Sequence, residues 1–153
     1  MGKKLFDYVI GNPPYQEEFG GSGENKTYGA PVYNQFMDAT YGVSDKVELV
    51  HPGRFLFNAG STPKAWNEKM LKDPHFKVLK YEANAKKIFP NAEITGGIAI
   101  SYHDNDKNFG AIEVFTSFDE LNAILHKVTA ISFQRMQGIV ISRTVYRLTD
   151  KLH

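Results

Sequence analysis

Nine residues near the start of the chain constrain it most: Asp7-Tyr8-Val9-Ile10-Gly11-Asn12-Pro13-Pro14-Tyr15. The apolar run from about Leu5 to Gly11 reads as a β-strand. Because it is nearly continuous instead of alternating, it predicts a parallel strand inside a sheet, covered on both faces. An Asn-Pro-Pro-Tyr turn follows at once. Ligands of open α/β sheets bind outside the carboxyl ends of the strands, so this turn stands where chemistry is expected.

The four turn residues make a coherent set. The Asn12 amide both accepts and donates hydrogen bonds, so it can grip an amino group without adding charge. Pro13 and Pro14 have fixed φ and no backbone N–H, and they push the preceding residue to extended geometry. Their carbonyls are acceptors on a stiff frame. Tyr15 adds a flat ring for stacking. Such a cradle suits a planar heterocycle with an exocyclic amine. The amine is a poor nucleophile because its lone pair is delocalised, and preorganised acceptors favour the tetrahedral nitrogen that attacks.

The rest of the chain alternates helical and strand patterns. Residues 16–29 are polar and glycine-rich, which is loop composition. Within them Phe19-Gly20-Gly21-Ser22-Gly23 has glycine spacing but no strand before it or helix after it, so it is not expected to be a cofactor loop. Val32, Tyr33, Phe36, Met37, Ala39 and Thr40 recur at helical spacing and predict a helix from Pro31 to about Gly42. Val47–Val50 is a buried strand leading into His51-Pro52-Gly53-Arg54-Phe55-Leu56. Ser61-Thr62-Pro63 offers an N-cap with proline in the first turn, opening a helix that buries Trp66, Met70 and Leu71 as far as Lys72. Phe76–Tyr81 is a strand whose Lys77 and Lys80 suit a sheet edge. A loop from Lys87 to Ile94 carries Phe89. Next come a strand with the pair Gly96-Gly97, which permits close backbone approach, and a turn from His103 to Asn108. Gly110–Phe115 is then expected to return as the second arm of an antiparallel hairpin. Ser117 and Glu120 form a capping box for a helix to about Ala130. The last stretch, Gln137 to His153, holds Arg143, Tyr146, Arg147 and Lys151 and reads as a linker or a solvated basic tail.

The segment from Asp7 to Tyr15 resembles the catalytic motif of AdoMet-dependent DNA methyltransferases acting on amino groups, above all the N6-adenine-specific enzymes of restriction-modification systems. The resemblance spans about residues 5–115. It implies a partial Rossmann-like α/β sheet, with parallel strands, crossover helices and a closing antiparallel hairpin. In it Asn12 and the Pro13 carbonyl hold the amine of a flipped adenine, and Pro14 stiffens the turn. Tyr15 and Phe89, the latter matching a second aromatic of the family, stack on the base. Extrusion costs a few kcal/mol, and each stacking contact returns about 1–3 kcal/mol.

The family places its cofactor-binding strands and glycine loop before the motif strand, whereas only Met1-Gly2-Lys3-Lys4 precedes it here. The resemblance therefore implies the carboxyl half of a catalytic domain (1–115), lacking most of the S-adenosyl-L-methionine site and expected to be inactive alone. Residues 116–153 would follow as a helix and tail leading toward a DNA-recognition region. The expected partners are DNA, an amino-terminal or separate cofactor-binding half, and a recognition domain. Two alternatives stay open: a protein-glutamine or ribosomal RNA methyltransferase fragment, whose enzymes share similar turns, and a non-catalytic assembly module of a restriction-modification complex.

Bulk properties narrow these choices. Eighteen Lys and Arg against seventeen Asp and Glu leave a formal net charge of +1, weaker than the basic excess common in nucleic-acid enzymes. Any main phosphate-binding surface is thus expected elsewhere. With no cysteine, disulfides and thiolate metal sites are excluded, and the scattered histidines predict no metal site. No apolar run approaches the roughly 20 residues that span a bilayer, nor is there a signal-peptide core. A cytoplasmic location is expected.

Overall fold

The computed structural model describes residues 4–17 and 29–129. They fall into two compact units divided after Ser117. In the first, the elements run β1 (Val9–Gly11), α1 (Tyr33–Val43), β2 (Lys46–Pro52), a 3-10 turn (Arg54–Phe57), α2 (Lys64–Lys72), β3 (Phe76–Glu82), a second 3-10 turn (Ala85–Lys87) and β4 (Ile98–Asp104). The strands form one mixed sheet in the order β1-β2-β4-β3. β1 and β2 are parallel, with Val9 opposite Val47 and Gly11 opposite Leu49, and α1 makes the crossover between them. β4 lies antiparallel between β2 and β3. The α/β sheet and its parallel unit match expectation.

Alternation of side chains sets the core face. Val47, Leu49 and His51 of β2 stand opposite His103, Ser101 and Ala99 of β4, and all six are buried. The other face is polar and aromatic: the Tyr8 hydroxyl donates to Glu48 at 3.1 Å, Tyr8 stacks on Tyr102, and the Lys77 ammonium lies 5.6 Å from the Tyr102 ring centre. On the core face Phe55 is fully buried amid Trp66, His51, Tyr33 and Phe76, with ring centres 4.9 to 6.3 Å away. Burying a large aromatic in this way is worth several kcal/mol, judged from the roughly 3–5 kcal/mol lost on truncation to alanine. Trp66 also donates to Asp38 of α1 at 3.1 Å, which ties α2 to α1.

Three expectations fail, each for a physical reason. The strand carrying the Asn-Pro-Pro-Tyr turn is not inside the sheet. β1 is three residues long and ends the strand order, and its neighbours Leu5 and Phe6 donate instead to the Val43 carbonyl. Leu5 and Ile10 are 75% and 74% exposed, since among the described residues nothing pairs with the outer edge of β1.

Gly110–Phe115 is not a strand. Both edges of β4 are already taken by β2 and β3, so this segment instead sends the Glu113 N–H to the Leu71 carbonyl, while the preceding Phe109 donates to Pro74. Ile112 and Phe115 pack on the core. The antiparallel closure of the sheet is made by β4 itself.

Third, no side chain caps α2. Ser61 stays exposed, and the Thr62 hydroxyl donates to Asn67 Oδ1 at 2.7 Å. The Trp66 and Asn67 N–H groups are satisfied by the Pro63 carbonyl.

The second unit contributes α3 (Asp119–Thr129), which begins two residues beyond Ser117 and exposes Leu121, Ile124 and Val128. Phe19–Gly23 and the basic stretch 137–153 lie outside the described residues. No helix among the described residues is long and apolar enough to cross a membrane.

Candidate active site

The registers bring the functional ends together. Pro52, the last residue of β2, faces Ile98, the first of β4, which in turn faces Glu82, the last of β3. The carboxyl ends of β1, β2 and β3 therefore share one edge of the sheet, as parallel and antiparallel directions dictate. The Asn12–Tyr15 segment, both 3-10 turns and the loop before β4 all emerge there.

A cavity of about 510 Å³ opens at this edge, a size within the roughly 300–1,000 Å³ usual for small-molecule sites. Tyr15 forms one wall, Pro52 the floor at the end of β2, Arg54 the turn that follows it, Ser61 and Thr62 the loop before α2, and Glu93, Ile94 and Thr95 the loop before β4. Tyr33, at the start of α1, lines it as well.

Tyr15 is pinned through its backbone. Its carbonyl accepts from the Val32 N–H at 3.2 Å and Glu17 donates to Ala30 at 3.0 Å, with a bridge between Gln16 and Pro31. The ring is half-buried, and its hydroxyl is buried with no hydrogen-bond partner. Burial pushes that phenol up to about 12, so it stays neutral.

Behind the cavity, His51 is held by two contacts. Its Nδ1 lies 3.1 Å from the Pro52 carbonyl and its Nε2 2.8 Å from the Ser101 hydroxyl. A carbonyl only accepts, so Nδ1 carries the proton and Nε2 accepts from Ser101. Burial pushes this imidazole down to about 4. The Tyr33 ring runs parallel to it, 4° off, with ring centres 6.2 Å apart. Burial also raises the Tyr33 phenol, offset in part by its hydrogen bond with Thr62.

Of the residues singled out in the sequence, Tyr15 lines the cavity, while Asn12 and Pro14 are exposed beside it in the chain and Pro13 is half-buried. Phe89 is half-buried in the opposing loop, its N–H donating to Ala85 at 2.8 Å and its carbonyl accepting from Ala92 at 3.1 Å. The cavity wall on that side is made by Glu93, Ile94 and Thr95 rather than by Phe89. Sequence reasoning missed Arg54, Thr62 and Tyr33. For Arg54 a signal existed, because it directly follows the carboxyl end of β2, the same position relative to its strand that drew attention to Asn12.

A mixed sheet with the Asn-Pro-Pro-Tyr segment at the carboxyl end of a parallel strand, beside a cavity lined by Tyr15 and Tyr33, is an α/β arrangement. The profile of the Eco57I restriction-modification methylase family matches residues 1–89, and the chain belongs to that family. It is also similar to an uncharacterized adenine-specific methylase of Mycoplasma pneumoniae, with 27% identity over 107 residues, 69% of this chain and 25% of the relative. The chain spans about a quarter of the length of that curated relative. No solved structure matches it.

Proposed function

We propose that this chain forms the target-base half of an adenine-specific DNA methyltransferase. Asn12 and the Pro13 carbonyl accept the two amine hydrogens of an extruded adenine, and Pro14 holds their spacing. Tyr15 stacks on the base, and Phe89 is the second aromatic approaching from the loop before β4. The observation that carries this reading is the place of Tyr15: directly after Asn12-Pro13-Pro14, at the carboxyl edge of the sheet, and in the wall of a cavity large enough for a purine. Membership of a restriction-modification methylase family and similarity to an adenine-specific methylase support it.

S-adenosyl-L-methionine is the methyl donor that the resemblance implies, and when bound it supplies an electrophilic methyl group. The cavity does not fit that cofactor by itself. A nucleoside site of this type takes the ribose hydroxyls on a carboxylate at a strand end, whereas among the described residues the only carboxylate lining the cavity is Glu93, exposed on a loop. The contribution of these residues is therefore to bind, orient and desolvate the base.

The test supplies this chain with an amino-terminal cofactor-binding half and tritiated S-adenosyl-L-methionine. Label is expected in adenine of DNA, and Asn12→Ala is expected to abolish it without changing the melting temperature. Label in ribosomal RNA or in protein glutamine would overturn the reading, as would an active Asn12→Ala variant.

A further inference from the structure

Arg54 is the one cavity-lining cation among the described residues. It opens the 3-10 turn after β2, and its aliphatic stem runs through a slot between two glycines. A Cβ added at Gly60 would lie 3.3 Å from both Cγ and Cδ of Arg54, and one added at Gly96 only 2.7 Å from its Cβ. Both glycines also have positive φ, +91° and +88°, where side chains are disfavoured. The slot thus exists only because both positions lack a side chain. It restrains a stem that would otherwise be free.

The guanidinium beyond that stem has no hydrogen bond or ion pair among the described residues. Four surface lysines are matched, Lys69 with Asp38, Lys72 with Glu68, Lys87 with Glu82 and Lys107 with Asp104, and none of the lysines without an ion pair lines the cavity. Glu93 lines the same cavity yet forms no ion pair with Arg54. A restrained fork of five donors at the edge of a nucleobase-sized cavity is matched to a planar pair of anionic oxygens, the bidentate geometry in which arginine binds phosphate.

We propose that Arg54 binds a backbone phosphate of the extruded nucleotide, fixing the sugar-phosphate strand while Tyr15 takes the base. This rests on the DNA reading of the site. A nucleotide whose base lies on Tyr15 has its phosphate outside the cavity, where the sheet edge presents Arg54. The carboxyl end of β2 thereby supplies the electrostatic half of the grip, and the carboxyl end of β1 supplies the stacking half.

The test is fluorescence anisotropy of a labelled oligonucleotide duplex with one mismatched adenine, titrated with this chain at several salt concentrations. Arg54→Gln is expected to weaken binding on the order of tenfold and to lower the slope of log affinity against log salt by about 1, as loss of one phosphate contact does. Arg54→Lys, which keeps the charge and loses the fork, should restore the slope but not all of the affinity. Tyr15→Ala should weaken binding with the slope unchanged. If the wild-type chain binds the duplex and Arg54→Gln keeps the full slope, the phosphate contact is overturned while the DNA reading stands. If the wild-type chain does not bind DNA at any salt, both fall.

Discussion

The Ser101 hydroxyl donates to Nε2 of His51 across 2.8 Å in the interior of the sheet, joining β4 to the residue just before Pro52 of the cavity floor. The bond requires a neutral imidazole, and burial enforces one by lowering its pKa from 6.5 to about 4. As pH falls, the unfolded chain takes up this proton first. Stability is then complete above about pH 6.5, declines between pH 6.5 and 4, and levels off below. The decline from this group is about 3 kcal/mol at most. His103, buried beside Asp73, is shifted down as well and adds in the same direction. Urea unfolding midpoints at pH 7.5, 6, 5 and 4 measure the effect, and His51→Gln should flatten the profile relative to wild type.

Tyr15 separates stacking from hydrogen bonding. Its buried hydroxyl has no partner, and an unsatisfied buried polar group costs about 1–3 kcal/mol. Tyr15→Phe should therefore leave thermal stability unchanged or raise it by about 1 kcal/mol, and should preserve base binding. Tyr15→Ala should lose about 1–3 kcal/mol of affinity for an extruded base. Melting curves together with titration of a mismatched duplex check both. A Phe variant that folds normally but loses binding would show that the hydroxyl, not the ring, engages the base.

The loop between the 3-10 turn and α2 depends on a buried relay. Asn67, fully buried, accepts from the Thr62 hydroxyl at 2.7 Å and donates to Asn58 Oδ1 at 3.3 Å, and Asn58 itself sits at φ 51°. Asn67→Leu removes the acceptor of the buried Thr62 hydroxyl and the donor to the exposed Asn58 side chain, with an expected loss of about 1–2 kcal/mol. Thr62→Val should lose about 1–2 kcal/mol. In a double-mutant cycle the two losses should fall short of additive, since one bond is removed twice. Additivity would mean the bond contributes nothing to stability.

Gly96 offers a check on the slot around Arg54. Gly96→Ala combines a φ of +88° with a 2.7 Å approach to Arg54 Cβ, and about 1–3 kcal/mol of stability should be lost. Calorimetric melting of the variant measures it. An unperturbed melt would show that the loop before β4 and the 3-10 turn can move apart freely.

Much of this architecture is legible in the residues because its signals are local. Helical spacing from Val32 to Thr40 gives α1 to within a residue or two, and Trp66, Met70 and Leu71 bury as their spacing requires. The lysines of β3 do mark an edge strand, and the Gly96-Gly97 pair does permit close approach, to Arg54 and to Tyr81. What escapes is set by distant partners. The exposure of Ile10 depends on which strand lies beyond β1, not on its own apolar neighbours. Gly110–Phe115 has strand-like composition, but β4 has no free edge to offer it. Ser61-Thr62-Pro63 reads as an N-cap from its neighbours, yet the Thr62 hydroxyl is claimed by Asn67, five residues on. The cavity joins residues from five separate stretches, and no spacing rule spans them.

β1 holds the sheet through three residue pairs, whereas β2 and β4 share seven. The Asn-Pro-Pro-Tyr turn is therefore mounted on the most weakly anchored strand, and its amide protons should exchange with solvent sooner than those of β2 or β4. Any strand that zips onto the outer side of β1 would stiffen the turn as it binds. Under the proposed reading, assembly and alignment of Asn12 would then be one event, with the ordering of this short strand acting as a gate on the chemistry.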